Sequence, residues 1–294
     1  MRKRKLSLPE NKTGQPDVVH RFVGLSLGGG KTDKTCLAVV EYFPQQKKLF
    51  LSRIHDRIKS DEKISGDSKI HELILQNSKF LETVSFDAAL SLPSCLTCTK
   101  KCPGIESCEE PHAKWLWKNY EETQAKKRPK KLFTPYTQRC VEAYLATQLE
   151  IPFHISHAMG ANSAPLMARA LFIKNRLNAE CIEVFPALTF YRLAKSIGLS
   201  AAQSVDHKAA FGGDEQRTYL LKSLNDKNFV FIYNQDAKIM IQNPHAFDAF
   251  LCALTGFLKF IQKTEKPPKD FPKSEAWIEF PKKGLSASAL FGLA

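Results

Sequence analysis

The chain has 294 residues, 43% of them hydrophobic and 25% charged, enough for one large domain or two small ones with a core of their own. No apolar run reaches the roughly 18 residues that span a bilayer, and the basic start MRKRKLSLPENK has no apolar stretch behind it. The sequence therefore reads against membrane, secreted, collagen-like and disordered classes, and the expected location is the cytoplasm. Lys and Arg number 43 against 30 Asp and Glu, a net charge of +13, concentrated in Arg2, Lys3, Arg4 and Lys5 and in Lys126, Lys127, Arg128, Lys130 and Lys131. Such blocks attract polyanions by counterion release, so nucleic acid is the expected partner, with solvated, mobile segments as the plain alternative.

In chain order, residues 1–20 read as a basic flexible arm, and FVGLSL (22–27) as a buried central strand. Gly28, Gly29 and Gly30 separate it from a second strand, KTCLAVVEYF, and Pro44-Gln45-Gln46 turns into a third, KLFLSRI. Short links between three strands predict an antiparallel meander. Asp67 or Ser68 can cap a helix that carries Ile70, Leu73 and Ile74 on one face. LETVSFDAAL (81–90) reads as a buried strand ending near Asp87, and 94–136 as a polar, cysteine-rich and basic insertion. Helices are expected over 137–149, 163–178, 187–197 and 214–224, with CIEVFPAL (181–188) as a short buried strand.

The clearest helix spans 243–262, with Asn243 as N-cap and Pro244 at its first position. One face is a stripe of Phe and Leu; a second carries His245, Asp248, Ala249, Cys252 and Gly256, whose small members imply close approach to a neighbour. The main domain is expected over 21–265 and a Pro- and Lys-rich tail over 266–294, with WIEF (277–280) a candidate last strand. This order predicts a mixed α/β sheet with helices on both faces.

Three acids fall in apolar surroundings: Asp87 at a strand end, Glu183 inside CIEVFPAL, and Asp248 one turn into the long helix. Carboxylates do not enter cores unpaired, and sites in open α/β sheets form at the carboxyl ends of strands. Three acids meeting there would need a divalent cation, the arrangement that activates water for phosphodiester hydrolysis. Read one by one, Asp87 is a turn acid, Glu183 the partner of Arg169 or Arg192, and Asp248 a first-turn dipole acid.

SFDAALSLP, IEVFPAL and HAFDAFLCALTGF resemble the motifs of the DUF429 family, predicted nucleases of the ribonuclease H-like superfamily, and the resemblance extends over most of 21–262. It implies a five-stranded mixed sheet whose first three strands are antiparallel. It also implies an acidic Mg²⁺ or Mn²⁺ site at the ends of the first and fourth strands, completed from a late helix. By position this selects Asp87, Glu183 and Asp248, with Ser26 where the superfamily carries an aspartate. A neutral hydroxyl there weakens Mg²⁺ binding. The implied activity is cleavage of DNA or RNA; a nucleic-acid-binding module without cleavage is the non-enzymatic alternative. FTPYTQR (133–139) and HAMGANSAPLMARA (157–170) look family-typical, which makes Arg139 and Arg169 candidate phosphate contacts beside Lys127, Arg128 and Lys130.

GGGKTDKT lacks the Walker spacing, since Leu25 stands where the first glycine belongs. VGLSLGGGKTDKTCLAVV is similar to the phosphate hairpin of actin-like ATPases and sugar kinases, which keeps a nucleotide phosphotransferase as the rival enzyme. Cys95, Cys98, Cys102 and Cys108 crowd into fourteen residues. Thiolates so close call for a thiophilic cation: a structural Zn²⁺, or alternatively a [4Fe–4S] cluster, with His112 a more distant substitute ligand. Trp115, Trp117 and Tyr120, interleaved with lysines, read first as core and second as a stacking platform for bases.

Overall fold

The computed structural model describes residues 18–29, 34–126, 133–149, 154–155, 157–200 and 206–291. The basic arm at 1–17, the glycine-hairpin residues 30–33, and Lys127, Arg128 and Lys130 lie outside the described residues. Six strands form one sheet: β1 (His20–Ser26), β2 (Cys36–Phe43), β3 (Lys48–His55), β4 (Leu81–Phe86), β5 (Cys181–Val184) and β6 (Ile278–Glu279). Their spatial order is β3-β2-β1-β4-β5-β6. The first three pair antiparallel as the short links require, whereas β1, β4, β5 and β6 run parallel.

The helices are α1 (Gly66–Gln76), α2 (Ser94–Thr97), α3 (Pro111–Lys126), α4 (Cys140–Gln148), α5 (Ala164–Lys174), α6 (Pro186–Ser196), α7 (Gly213–Asp226), α8 (Asn234–Gln242), α9 (Pro244–Phe260) and α10 (Ala287–Phe291). Four of these, α2, α3, α8 and α10, fall where the sequence pattern predicts no helix. The cap of α1 is Ser65, whose hydroxyl accepts from Ser68 N, rather than Asp67 or Ser68; Asp67 is instead paired with Arg169.

The expected five strands are six. The sixth lies in the segment set apart as a tail, which returns to the sheet edge: Glu183 pairs with Ile278 and Val184 with Glu279. Ile278 and Phe280 are buried there with Val141, Leu188 and Tyr191. The parallel crossovers cover both faces, so side chains alternate between two cores. Phe22, Ala38, Val40 and Leu51 pack with Phe250, Leu254 and Phe257 of α9 and with Leu220 of α7. Val23, Leu25, Val39, Val84 and Phe86 pack on the other face with Ile70 and Ile74 of α1 and Ala170 and Ile173 of α5.

Helix α9 starts as the sequence predicts: the Asn243 side chain accepts from His245 N at 3.0 Å and Pro244 follows. Its small-residue face lies directly on the sheet. A Cβ on Gly24 of β1 would overlap the carbonyl oxygen of Ala249 and the amide nitrogen of Ala253. That close approach fixes how far along β1 the N-terminal turn of α9 reaches, and it brings Asp248 over the strand ends.

Candidate active-site cleft

β1 and β4 are parallel neighbours, and Asp87 N donates to Leu25 O at 3.0 Å, so Ser26 and Asp87 leave the sheet side by side. Asp87 Oδ1 accepts from Leu27 N at 2.8 Å. The first turn of α9 hangs over the same edge. His245 Nδ1 shares a hydrogen bond with Ser26 Oγ at 3.2 Å. Three residues on, one helical turn away on the same face, Asp248 is fully buried.

Lys208 and His207 flank Asp248. His207 Nε2 lies 2.6 Å from its Oδ1, and the Lys208 ammonium contacts its Oδ2, as an ion pair without the alignment of a hydrogen bond. Burial pushes Asp248 up, but the charges of Lys208 and His207 outweigh it and hold the carboxyl below its ordinary range. Asp87 goes the other way. Burial raises it to about 6, helped by the negative charge of Asp248 and opposed by Lys208 and by hydrogen bonds from Ser26 and Leu27. Each aspartate therefore feels the other, with one ammonium acting on both. His245 is pushed down by burial and by the Lys208 and Lys34 charges against the pull of Asp248, which keeps its ring neutral.

Asp87, His207, Lys208 and His245 line a cleft of about 560 Å³, together with Arg139, Glu183 and Ser163, while Asp248 and Ser26 are buried behind its wall. Glu183 is in its wall, but both carboxylate oxygens are taken by Arg139, at 2.7 and 2.6 Å, and Oε2 also accepts from Leu90 N at 2.9 Å. The pairing partner is neither Arg169 nor Arg192. Arg139 is in turn bound through Nε to Glu142 at 2.8 Å, while Ala158 N donates to Glu142 Oε1 at 2.7 Å. At 2% exposure and clamped between two carboxylates, Arg139 has no free face for a phosphate. The metal-ligand role for Glu183 and the phosphate role for Arg139 thus give way to a buried ion pair that braces the cleft. Arg169 is likewise engaged, by Asp67 and by hydrogen bonds to Gly28 O and Thr35 Oγ1, and ties the β1–β2 hairpin to α5.

Sequence reasoning missed Lys208 and His207, which stand in a loop with no periodic pattern around them. It placed His245 on the helix face of Asp248 without a role, although the three-residue spacing was the available signal.

The cysteine insertion forms a lobe beside this cleft. Cys95 and Cys108 are partly buried and Cys98 and Cys102 exposed, all four as free thiols. Cys95 Sγ and His112 Nε2 are 3.2 Å apart, and His112 is buried. Burial, then the nearby charges of Cys108, Cys102 and Cys98, raise the Cys95 thiol to about 11. Among the described residues, no three His, Cys, Asp or Glu side chains are arranged to hold a metal ion as they stand, in the lobe or in the cleft. Trp115 is core, packed edge-on against Phe271; Trp117 donates to Ile105 O at 2.8 Å and packs against Tyr120 and Phe133. Among the described residues, no helix is long and apolar enough to cross a membrane.

Compared with known proteins, residues 69–267 match a family model described as "Protein of unknown function (DUF429)". No curated protein and no solved structure matches.

Proposed function

The chain belongs to the DUF429 family, and from that membership and the geometry of the cleft we propose that it is a divalent-cation-dependent nuclease with a ribonuclease H-like fold, acting on DNA or RNA. The observation that carries this reading is the approach of Asp87 and Asp248, remote in sequence, at the carboxyl ends of β1 and β4, Asp87 in the cleft wall and Asp248 buried behind it, with a single ammonium acting on both. The strand order β3-β2-β1-β4-β5, with its first three strands antiparallel, supports the fold assignment.

Charge, rather than a preassembled ligand set, is what suits Mg²⁺ or Mn²⁺ here, since among the described residues no three ligands stand together. Two desolvated, mutually repelling carboxylates are stabilised by positive charge between them, and Mg²⁺ is held through one or two carboxylates with the rest of its shell from water and substrate phosphate, without a preformed protein cage. Asp87 and Asp248 would hold it, with Ser26 and neutral His245 lining the same position. When bound, the ion polarises the phosphodiester and makes its attacking water more acidic. The chain supplies the rest. Lys208, whose side chain is 45% exposed, keeps Asp248 ionised and reaches toward an incoming phosphate. The Arg139–Glu183 pair holds the cleft wall rigid. Glu183 is not part of the ion-binding set.

The test is a cleavage assay of the purified full chain on single- and double-stranded DNA and RNA in Mg²⁺ or Mn²⁺. Cleavage is expected in the wild type and should fall by at least about 100-fold in Asp87→Asn and Asp248→Asn, because the ion contributes several kcal/mol at the transition state. A wild type that cleaves nothing, or variants as active as the wild type, would refute the assignment.

A further inference from the structure

The lobe formed by 94–110 has a composition and a setting that the nuclease reading does not explain. Free cysteines are among the most buried of residues, behaving as small hydrophobes, yet Cys98 and Cys102 are exposed. Between α2 and the start of α3 the only regular element is a single 3-10 turn, Ile105–Ser107, and 99–103 lie in neither helix nor strand. A segment of this length that buries no core of its own needs a cross-link to hold one shape. Four thiols are the cross-linking groups it has. They come from both arms of the turn at Pro103-Gly104, where Gly104 takes a φ of 95° that other residues rarely adopt. Cys95, at the root of the lobe, and Cys108, beyond the turn, are the two partly buried thiols of the four.

We propose that Cys95, Cys98, Cys102 and Cys108 are the four ligands of one structural zinc ion, and that His112 positions the Cys95 sulfur. The His112 imidazole is fixed in the first turn of α3 and already hydrogen-bonded to that sulfur, the relation by which second-layer donors orient a metal ligand. On binding, the thiol protons leave to solvent and the ion replaces them. The exposed Cys98 and Cys102 close over it from the irregular stretch, whereas Cys95 and Cys108 are anchored beside the helices. With four sulfurs the tetrahedral shell is complete, so the ion has no position for substrate and acts on folding alone. This inference does not depend on the cleft: a zinc-loaded lobe on a protein that cleaves nothing would leave it intact.

Elemental analysis of the full chain, purified without chelator, tests it. About one zinc per chain is expected, released by a mercurial thiol reagent. Cys98→Ser and Cys102→Ser, changes at exposed positions that the main core does not feel, should each lose the ion and make the lobe sensitive to proteases. His112→Gln should still reach full occupancy at saturating zinc, with affinity lowered roughly 10- to 100-fold. Metal-free protein with four titratable thiols, disulfides among the four, or iron with the visible absorbance of a cluster would each overturn the zinc assignment. A His112→Gln protein that cannot be loaded at all would overturn the four-sulfur shell.

Discussion

Replacing Glu183 by Gln separates two roles for that carboxylate by the sign of a stability change. The Glu183 side chain is 4% exposed and that of Arg139 2%, and they meet through two short charge-assisted hydrogen bonds at 2.6 and 2.7 Å. Burial would lower Arg139, but the charges of Glu183 and then Glu142 reverse that and hold the guanidinium firmly protonated. Glu183→Gln keeps the shape and removes the charge. Breaking a buried pair costs about 3–5 kcal/mol, since the remaining ion stays desolvated without its partner. Here Glu142 still faces Arg139 and the Gln carbonyl can accept one of the two bonds, which places the loss near the lower end, about 3 kcal/mol. At about 2.1 cal/mol/K of unfolding entropy per residue, that is a fall of about 5 °C in Tm for a 294-residue chain. The assay is thermal or urea unfolding in chelator, where no divalent ion can mask the effect. Were Glu183 a third member of the acidic cluster, its removal would relieve repulsion in the ion-free protein and Tm would rise. An unchanged or higher Tm for Glu183→Gln would therefore refute the brace and restore Glu183 to the ion site.

Two further outcomes follow from the same geometry. Asp87 has a folded-state pKa of about 6 against 3.8 ordinarily, so between those values the native state keeps a proton that the unfolded chain has released. Stability must fall as pH rises from about 4 to 6, by at most about 3 kcal/mol and less where cleft water screens the group; Asp87→Asn should flatten that slope in urea titrations without divalent ions, and parallel curves for variant and wild type would contradict it. Gly24→Ala puts a methyl group against the backbone of α9 at Ala249 and Ala253. Neither strand nor helix can yield locally, so the cost should reach or exceed the roughly 1–3 kcal/mol of ordinary overpacking, and a Gly24→Ala protein with wild-type Tm would show that the helix does not sit where described.

The parts of this architecture written in local pattern were readable from the chain alone. The apolar runs of β1, β2 and β4, the Asn243-Pro244 start of α9 and the small-residue face of that helix each express a period of two or 3.6 residues, or a cap with a fixed offset. The two-residue strand β6 lies within WIEF, the candidate last strand, but its place in the sheet was not readable, because the edge of β5 that accepts it lies far from its own sequence. Helix α3 was obscured because its aromatic residues serve the lobe and the insertion as well as the core, which blurs the stripe.

The acids show the same limit more sharply. Sequence gives three carboxylates in apolar surroundings and no information on what neutralises each, because that depends on pairings across the fold. Asp248 is answered by His207 and Lys208, and Glu183 by Arg139. Asp87, among the described residues, has no ion pair at contact distance, only the more distant field of Lys208 and the hydrogen bonds of Ser26 and Leu27. Partly desolvating a carboxylate this way is costly, and the cost shows in its raised pKa. Ser26 sharpens the point: an aspartate there would set a third negative charge beside Asp87, whereas a hydroxyl donates to it and leaves one aspartate as the unanswered charge of the cleft. A cation entering from solvent gains most by contacting Asp87 first, and Asp248 can complete its binding only as far as Lys208 moves aside.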